Sequence, residues 1–148
     1  SQDEMGYAIT KLLGTYVYIY DVDGVKGGYE QSELMKLVQA AKDAKVNVCY
    51  VEKNYGNGAH FAMLKPLFEK FYPECRLEEI NSSGQKELRI IDTLEPLLGQ
   101  HRLVVSQTSV MKDYNSIQKY PAEVKMTYSC FYQLAHITSD RGALRHDD

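Results

Sequence analysis

No apolar run in this chain approaches the about 20 consecutive residues that a helix needs to cross a bilayer, so no membrane span is expected. The start, Ser1-Gln-Asp-Glu-Met-Gly6, lacks the pattern of a secretory signal. Cysteine is scarce and odd in number: Cys49, Cys75 and Cys130 lie far apart in apolar segments. That usage predicts buried free thiols in a reducing compartment, not a disulfide framework. No CxxC occurs, and His60, His101, His136 and His146 lack the spacing of a ligand set, which makes zinc improbable. Positive charge is not in excess either. The net charge of −3 excludes a domain that is basic as a whole, although carboxylates offset by metal ions would leave DNA contact open. There is no GxxxxGK[ST] loop, dinucleotide fingerprint, serine elbow or recognisable Cys/His pair. Repeats, low-complexity segments and linkers are absent as well.

What the chain does have, at 148 residues and 44% hydrophobic content, suffices for one globular domain with a single core. The segments Gly6–Leu13 and Thr15–Asp21 are rich in aromatic and β-branched residues and meet at Gly14, which predicts an antiparallel hairpin. Residues 21–28 are expected to be a connecting loop. From Glu30 to Lys45, Leu34, Leu37, Val38 and Ala41 recur at helical spacing, with Ser32 as a possible cap. A strand from Val46 ends in Glu52, ahead of a turn set by Asn54, Gly56 and Gly58. Phe61, Leu64, Phe68 and Phe71 mark a second helix, with Pro66 expected to kink or restart it and Pro73 to stop it.

The remainder alternates in the same way. Cys75–Ile80 is a weaker strand, and Gln85–Leu94 a helix ended by Pro96 and Gly99. His101–Ser106 is another strand. Gln107–Pro121 reads as a short helix and an exposed loop. Met126, Cys130, Phe131, Leu134 and Ile137 mark one last long helix. A leading antiparallel pair followed by alternating helices and strands fits an α/β fold, a mixed sheet with helices on both faces.

The chemistry left to such a chain is that of carboxylates. Glu52 closes a strand where open α/β sheets place their sites, and Asp147 and Asp148 stand beside His146. Carboxylates converging from different elements suit hard divalent cations such as Mg²⁺ and Mn²⁺. Two such ions, about 3.5–4 Å apart, activate a water and stabilise the leaving oxygen of a phosphodiester.

Glu52-Lys-Asn54-Tyr-Gly56-Asn-Gly58, the block from Gly84 to Val105 and the block from Tyr128 to Asp148 stand in that order along the chain, and together they resemble the nuclease domain of tailed-phage large terminase subunits, most closely the short-tailed, autographivirus-like branch. Glu52-Lys-Asn54-Tyr-Gly56-Asn-Gly58 is similar to the second acidic motif of that family. Gly84-Gln-Lys86-Glu-Leu-Arg89, running on to His101-Arg102-Leu-Val-Val, resembles its central block. Tyr128-Ser-Cys-Phe-Tyr-Gln-Leu with Arg141-Gly-Ala-Leu-Arg-His146-Asp147-Asp148 resembles its third motif, and Asp3-Glu4-Met-Gly6-Tyr7-Ala8 the tail of its first.

The resemblance implies an RNase H-like fold and a two-metal endonuclease, using Mg²⁺ or Mn²⁺, that cuts concatemeric double-stranded DNA during genome packaging. Glu52 would be the second metal-binding acid, and Asp147 with Asp148 the third. Lys86, Arg89 and Arg102 would sit near the DNA backbone. The first acid would lie on a strand before Asp3, for which Asp21 and Asp3 are poor substitutes by position, and the family's last helix would follow Asp148. The implied partners are an ATPase motor domain, absent from this chain, a small terminase subunit and the portal, in the cytoplasm of an infected bacterial host. Two other readings stay open: a non-catalytic RNase H-like module that docks on a portal or on DNA, and another RNase H-like nuclease such as a junction resolvase.

Overall fold

The computed structural model describes residues 4–26, 30–53, 58–82 and 84–136. The chain divides into two compact units, Ser1–Tyr7 with Gly24–Ser83 and Ala8–Asp23 with Gly84–Asp148. Strands and helices alternate: β1 (Glu4–Leu13), β2 (Tyr16–Lys26), α1 (Gln31–Asp43), β3 (Val48–Glu52), α2 (Ala59–Phe71), β4 (Arg76–Ile80), α3 (Lys86–Gly99), β5 (Leu103–Val105), α4 (Gln107–Ser116) and α5 (Cys130–His136). Short 3-10 turns at Ile117–Lys119 and Lys125–Tyr128 link the last two helices.

In the first unit, β3 and β4 pair in parallel, with Val48 opposite Arg76 and Glu52 opposite Ile80. Parallel neighbours need a crossover, and α2 supplies it. The inward stripe of α1, Leu34, Val38 and Ala41, is buried with Leu64 and Phe68 of α2 and with Cys75; Cys49, Val51 and Leu77 pack against this cluster from the strands. Strand alternation then puts Val48, Tyr50 and Glu52 on the opposite face of β3.

Pro66 does not restart α2, which runs unbroken through it. Leu64 and Phe68, on either side, are each 2% exposed, so packing holds both halves against the roughly 3 kcal/mol that a mid-helix proline costs. Phe71, expected in the core, is exposed at the end of the helix. Nor does Ser32 cap α1: the N-cap is Glu30, whose side chain makes no capping bond.

The end of α1 carries the reason the strand begins at Val48 and not Val46. Lys45 takes a left-handed φ of 55°. Its N–H donates to Lys42 O (3.1 Å), and the Val46 N–H donates to Ala41 O (2.9 Å). This is a Schellman closure with lysine in the place usually taken by glycine. The end of α3 repeats it. His101 has φ 55°, and the Arg102 N–H reaches Leu97 O at 2.8 Å. Hence α3 continues past Leu94 and through Pro96 to Gly99, where the sequence predicts an earlier stop.

In the second unit, β1 and β2 are neighbours joined by two residues, Gly14 and Thr15, which permits only an antiparallel hairpin. β5 runs parallel to β2, with Val17, Tyr18 and Ile19 opposite Leu103, Val104 and Val105. The described strands thus make a mixed three-stranded sheet, β1-β2-β5, and the parallel pair β3-β4. Residues 21–26, expected as a loop, extend β2. Gln107–Ser116 is a regular helix capped by Ser106, whose Oγ accepts from the Ser109 N–H at 3.1 Å. The expected single long helix from Met126 instead starts as a 3-10 turn and becomes α5 after Ser129.

All three cysteines are free thiols; Cys75 is buried, Cys49 half-buried and Cys130, against expectation, exposed. Burial, with Cys75 nearby, pushes the Cys49 thiol from its ordinary 9.0 up to about 11. Native protein at pH 8 should therefore leave Cys49 unlabelled by iodoacetamide, read by peptide mass spectrometry, while the unfolded chain is labelled. The fold also holds the Cys49 proton more tightly than the unfolded chain does. The stability this gives is complete below pH 9 and is lost as pH rises through about 11. A urea midpoint that falls between those values less steeply in Cys49→Ala than in the parent is the expected result.

Candidate active site

Glu52 is the last residue of β3, exposed, at the carboxyl end of a parallel pair. Its neighbours on the same sheet face are Tyr50 and, across the ladder, Glu78 and Ile80. Glu78 is already engaged, with the Arg76 Nε at 2.8 Å. The backbone after Glu52 stays against β4, the Lys53 N–H donating to Ile80 O at 2.9 Å. Residues 54–57 of the acidic motif lie outside the described residues. At its far end Gly58 has a left-handed φ of 82° and precedes α2 directly. A Cβ there would stand 2.9 Å from Glu79 Oε2, so this glycine also admits a carboxylate from β4. Glu79 is opposite Val51 in the register and so belongs to the face away from Glu52. The sequence reading passed over Glu79, since only the β3–β4 register brings it to the start of α2.

The basic residues of the central block fall in the second unit. Lys86 opens α3, and Arg89 follows one turn later on the same side of the helix. Arg102 comes after the Schellman closure, and its Nη1 donates to Thr15 O at 3.2 Å, tying β5 to the hairpin turn. Asp147 and Asp148 lie outside the described residues. Among the described residues no group of three or more His, Cys, Asp or Glu side chains is placed to hold a metal ion.

Asp21, a poor substitute for the first acid by position, has another occupation. Lys112 of α4 reaches Asp21 Oδ1 at 2.8 Å and Asp23 Oδ2 at 3.3 Å. The hydrogen bond from Lys112 to Asp21 is the main reason its ammonium is held above the usual lysine range. A built-in cation thus neutralises both acids on this face of β2.

A second buried arrangement escaped the sequence reading. Asp113 of α4, 9% exposed, accepts from Ser129 Oγ (2.6 Å), the Cys130 N–H (2.8 Å) and the Phe131 N–H (3.1 Å). Ser129 Oγ in turn accepts from the Tyr132 N–H at 3.1 Å. The free donors at the start of α5 are therefore satisfied by one carboxylate and one hydroxyl. The signal available was Ser129 ahead of an apolar run; that Asp113, sixteen residues away, completes the cap is a tertiary fact.

The model of the family described as "Terminase Bacteriophage T7, Ribonuclease H-like domain" matches residues 1–103. Over 147 residues, 99% of this chain, the sequence is 37% identical to the protein named "Terminase, large subunit" from Enterobacteria phage T3. The chain spans about a quarter of that relative's length, the match covering 25% of it. Residues 1–103 take in Glu52, Lys86, Arg89 and Arg102.

Proposed function

The chain belongs to the ribonuclease H-like domain family of bacteriophage T7 terminases, and from that premise we propose that it is a metal-dependent endonuclease that cuts concatemeric double-stranded DNA during packaging. The observation that carries this is Glu52: an exposed carboxylate at the carboxyl end of a parallel strand, inside the residues that match the family. Ligands of open α/β sheets bind at that end of the strands. Among the described residues no ion pair occupies Glu52, whereas Glu33, Glu78, Asp21 and Asp23 each have a cation. A free carboxylate of this kind suits Mg²⁺ or Mn²⁺.

In this reading Glu52, Asp147 and Asp148 hold the metal. Bound metal would supply a water activated for attack and a counter-charge for the leaving oxygen. The chain's own part is to fix Glu52 by the β3–β4 register. Lys86, Arg89 and Arg102 would bind backbone phosphates, which sets register on the duplex without selecting sequence. The ATPase motor, the small terminase subunit and the portal would be the partners, in the host cytoplasm. No described helix is long and apolar enough to cross a membrane.

The test is plasmid cleavage by the intact natural protein that carries this chain. Nicking and linearisation are expected with Mn²⁺ or Mg²⁺ and none with EDTA. Equal cleavage in EDTA would overturn the metal assignment, and a strong preference for four-way junctions over linear duplex would favour a resolvase. A folded protein that cuts nothing would be a docking module.

A further inference from the structure

Apart from Arg102, the hairpin face away from α4 has no role in the proposed nuclease. Tyr16, Tyr18 and Tyr20 follow one another at every second position of β2, so their side chains leave the same face of the sheet. They are 49%, 39% and 46% exposed. Val104, opposite Tyr18, is on this face, and by alternation so is Arg102, tied to Thr15 beside Tyr16. Lys11 of β1 also belongs here, its Nζ lying 4.4 Å from the centroid of the Tyr20 ring. The acids of this part of β2, Asp21 and Asp23, alternate to the other face and are neutralised there by Lys112. All these residues belong to the second unit.

We propose that this face is a stacking platform for unpaired bases, binding single-stranded nucleic acid with Tyr16 and Tyr18 under successive bases and Lys11 and Arg102 against the phosphates. Aromatic rings and cations on one exposed sheet face are the chemistry that single strands require, since every base has a π-face and every linkage a negative charge. Spacing selects the unpaired strand. Alternate residues of a β-strand are about 6.6–6.8 Å apart, about twice the 3.4 Å rise per nucleotide of one strand in a duplex. Only a strand drawn out of its helical stack can set successive bases on successive rings. Lys11 already covers the Tyr20 ring, so Tyr16 and Tyr18 carry the stacking and Lys11 the charge. The site is separate from the metal chemistry proposed for Glu52 and should bind without metal.

The experiment is fluorescence anisotropy of labelled dT12 and of a 12-base-pair duplex with the chain, in EDTA, so that a failure of the cleavage assignment leaves the result unaffected. The single strand should bind at least about ten-fold more tightly than the duplex. Tyr16→Ala and Tyr18→Ala should each weaken dT12 binding roughly 5- to 100-fold, and Tyr→Phe at either position by less than about two-fold. Lys11→Ala should reduce the salt slope by about 0.7. The chain has no tryptophan, so tyrosine emission can be read directly; dT12 should quench it in the parent and in both Phe variants, which keeps the test decisive if an Ala variant does not fold. Duplex binding equal to or tighter than dT12, Ala variants binding as the parent does, or no binding and no quenching would each overturn the proposal; the last would mark the face as one that packs against protein.

Discussion

Replacing Glu52 by alanine should abolish metal-dependent cleavage while leaving the fold intact. Removing even an outer partner of a metal ligand commonly lowers affinity or activity by about 10–100-fold, so loss of a ligand itself should exceed that range. Glu52→Gln should fall as far, because it keeps the shape and removes the charge that would hold the ion. Stability should change by less than about 0.5 kcal/mol, since the side chain is exposed and makes no ion pair among the described residues. The measurement pairs plasmid cleavage in Mn²⁺ with urea unfolding of the same preparations. Full activity in a folded Glu52→Ala protein would remove Glu52 from the site. Inactivity accompanied by a large loss of stability would show that the effect runs through the fold.

Asp113 should show the reverse pattern, a large effect on stability. Its carboxylate receives three donors at the start of α5, and alanine would leave them without an acceptor in a buried place. Each lost partner of a charged group is worth roughly 1.5–3 kcal/mol, part of it recovered through water. A net loss of about 2–4 kcal/mol follows, or about 4–15 °C in melting temperature for a chain of this size. Asn retains one acceptor oxygen but turns an NH₂ toward another donor, so Asp113→Asn should lie between parent and Ala. Ser129→Ala, which removes the cap bond from the Tyr132 N–H and one of the three donors to Asp113, should cost about 1–2 kcal/mol. Calorimetry of the three variants checks the order. A loss under about 0.5 kcal/mol for Asp113→Ala would mean that water replaces the carboxylate fully, and that α5 does not depend on it.

Local patterns carried most of the element order. Leu34, Val38 and Ala41 announced α1, and the Gly14 hairpin followed from the residues that flank it, because helical spacing and strand alternation are written within one turn or a few positions. The family motifs were legible for a related reason: Glu52 and its glycines are adjacent in the chain. The errors occurred where distant residues decided. Pro66 and Pro96 are helix breakers by local rule, yet each sits within an unbroken helix. In α2 the buried Leu64 and Phe68 outweigh the missing hydrogen bond; in α3 the left-handed His101 delays the stop. Residues 21–26 look like a loop by composition, but they extend β2, where Asp21 and Asp23 meet Lys112 across 89 to 91 positions of sequence.

The sequence by itself determined the α/β alternation and the family, since each is encoded in neighbouring residues. Only the tertiary structure decided which carboxylates are occupied. Asp21 and Asp23 are held by Lys112, Glu78 by Arg76 and Asp113 by the start of α5, while Glu52 has no ion pair among the described residues. Tertiary structure likewise put the tyrosines of β2 on a face with Lys11 and Arg102, and its acids on the other. The physical reason is that a charge is neutralised by whatever the fold brings within about 3 Å of it, and separation along the chain does not record that distance.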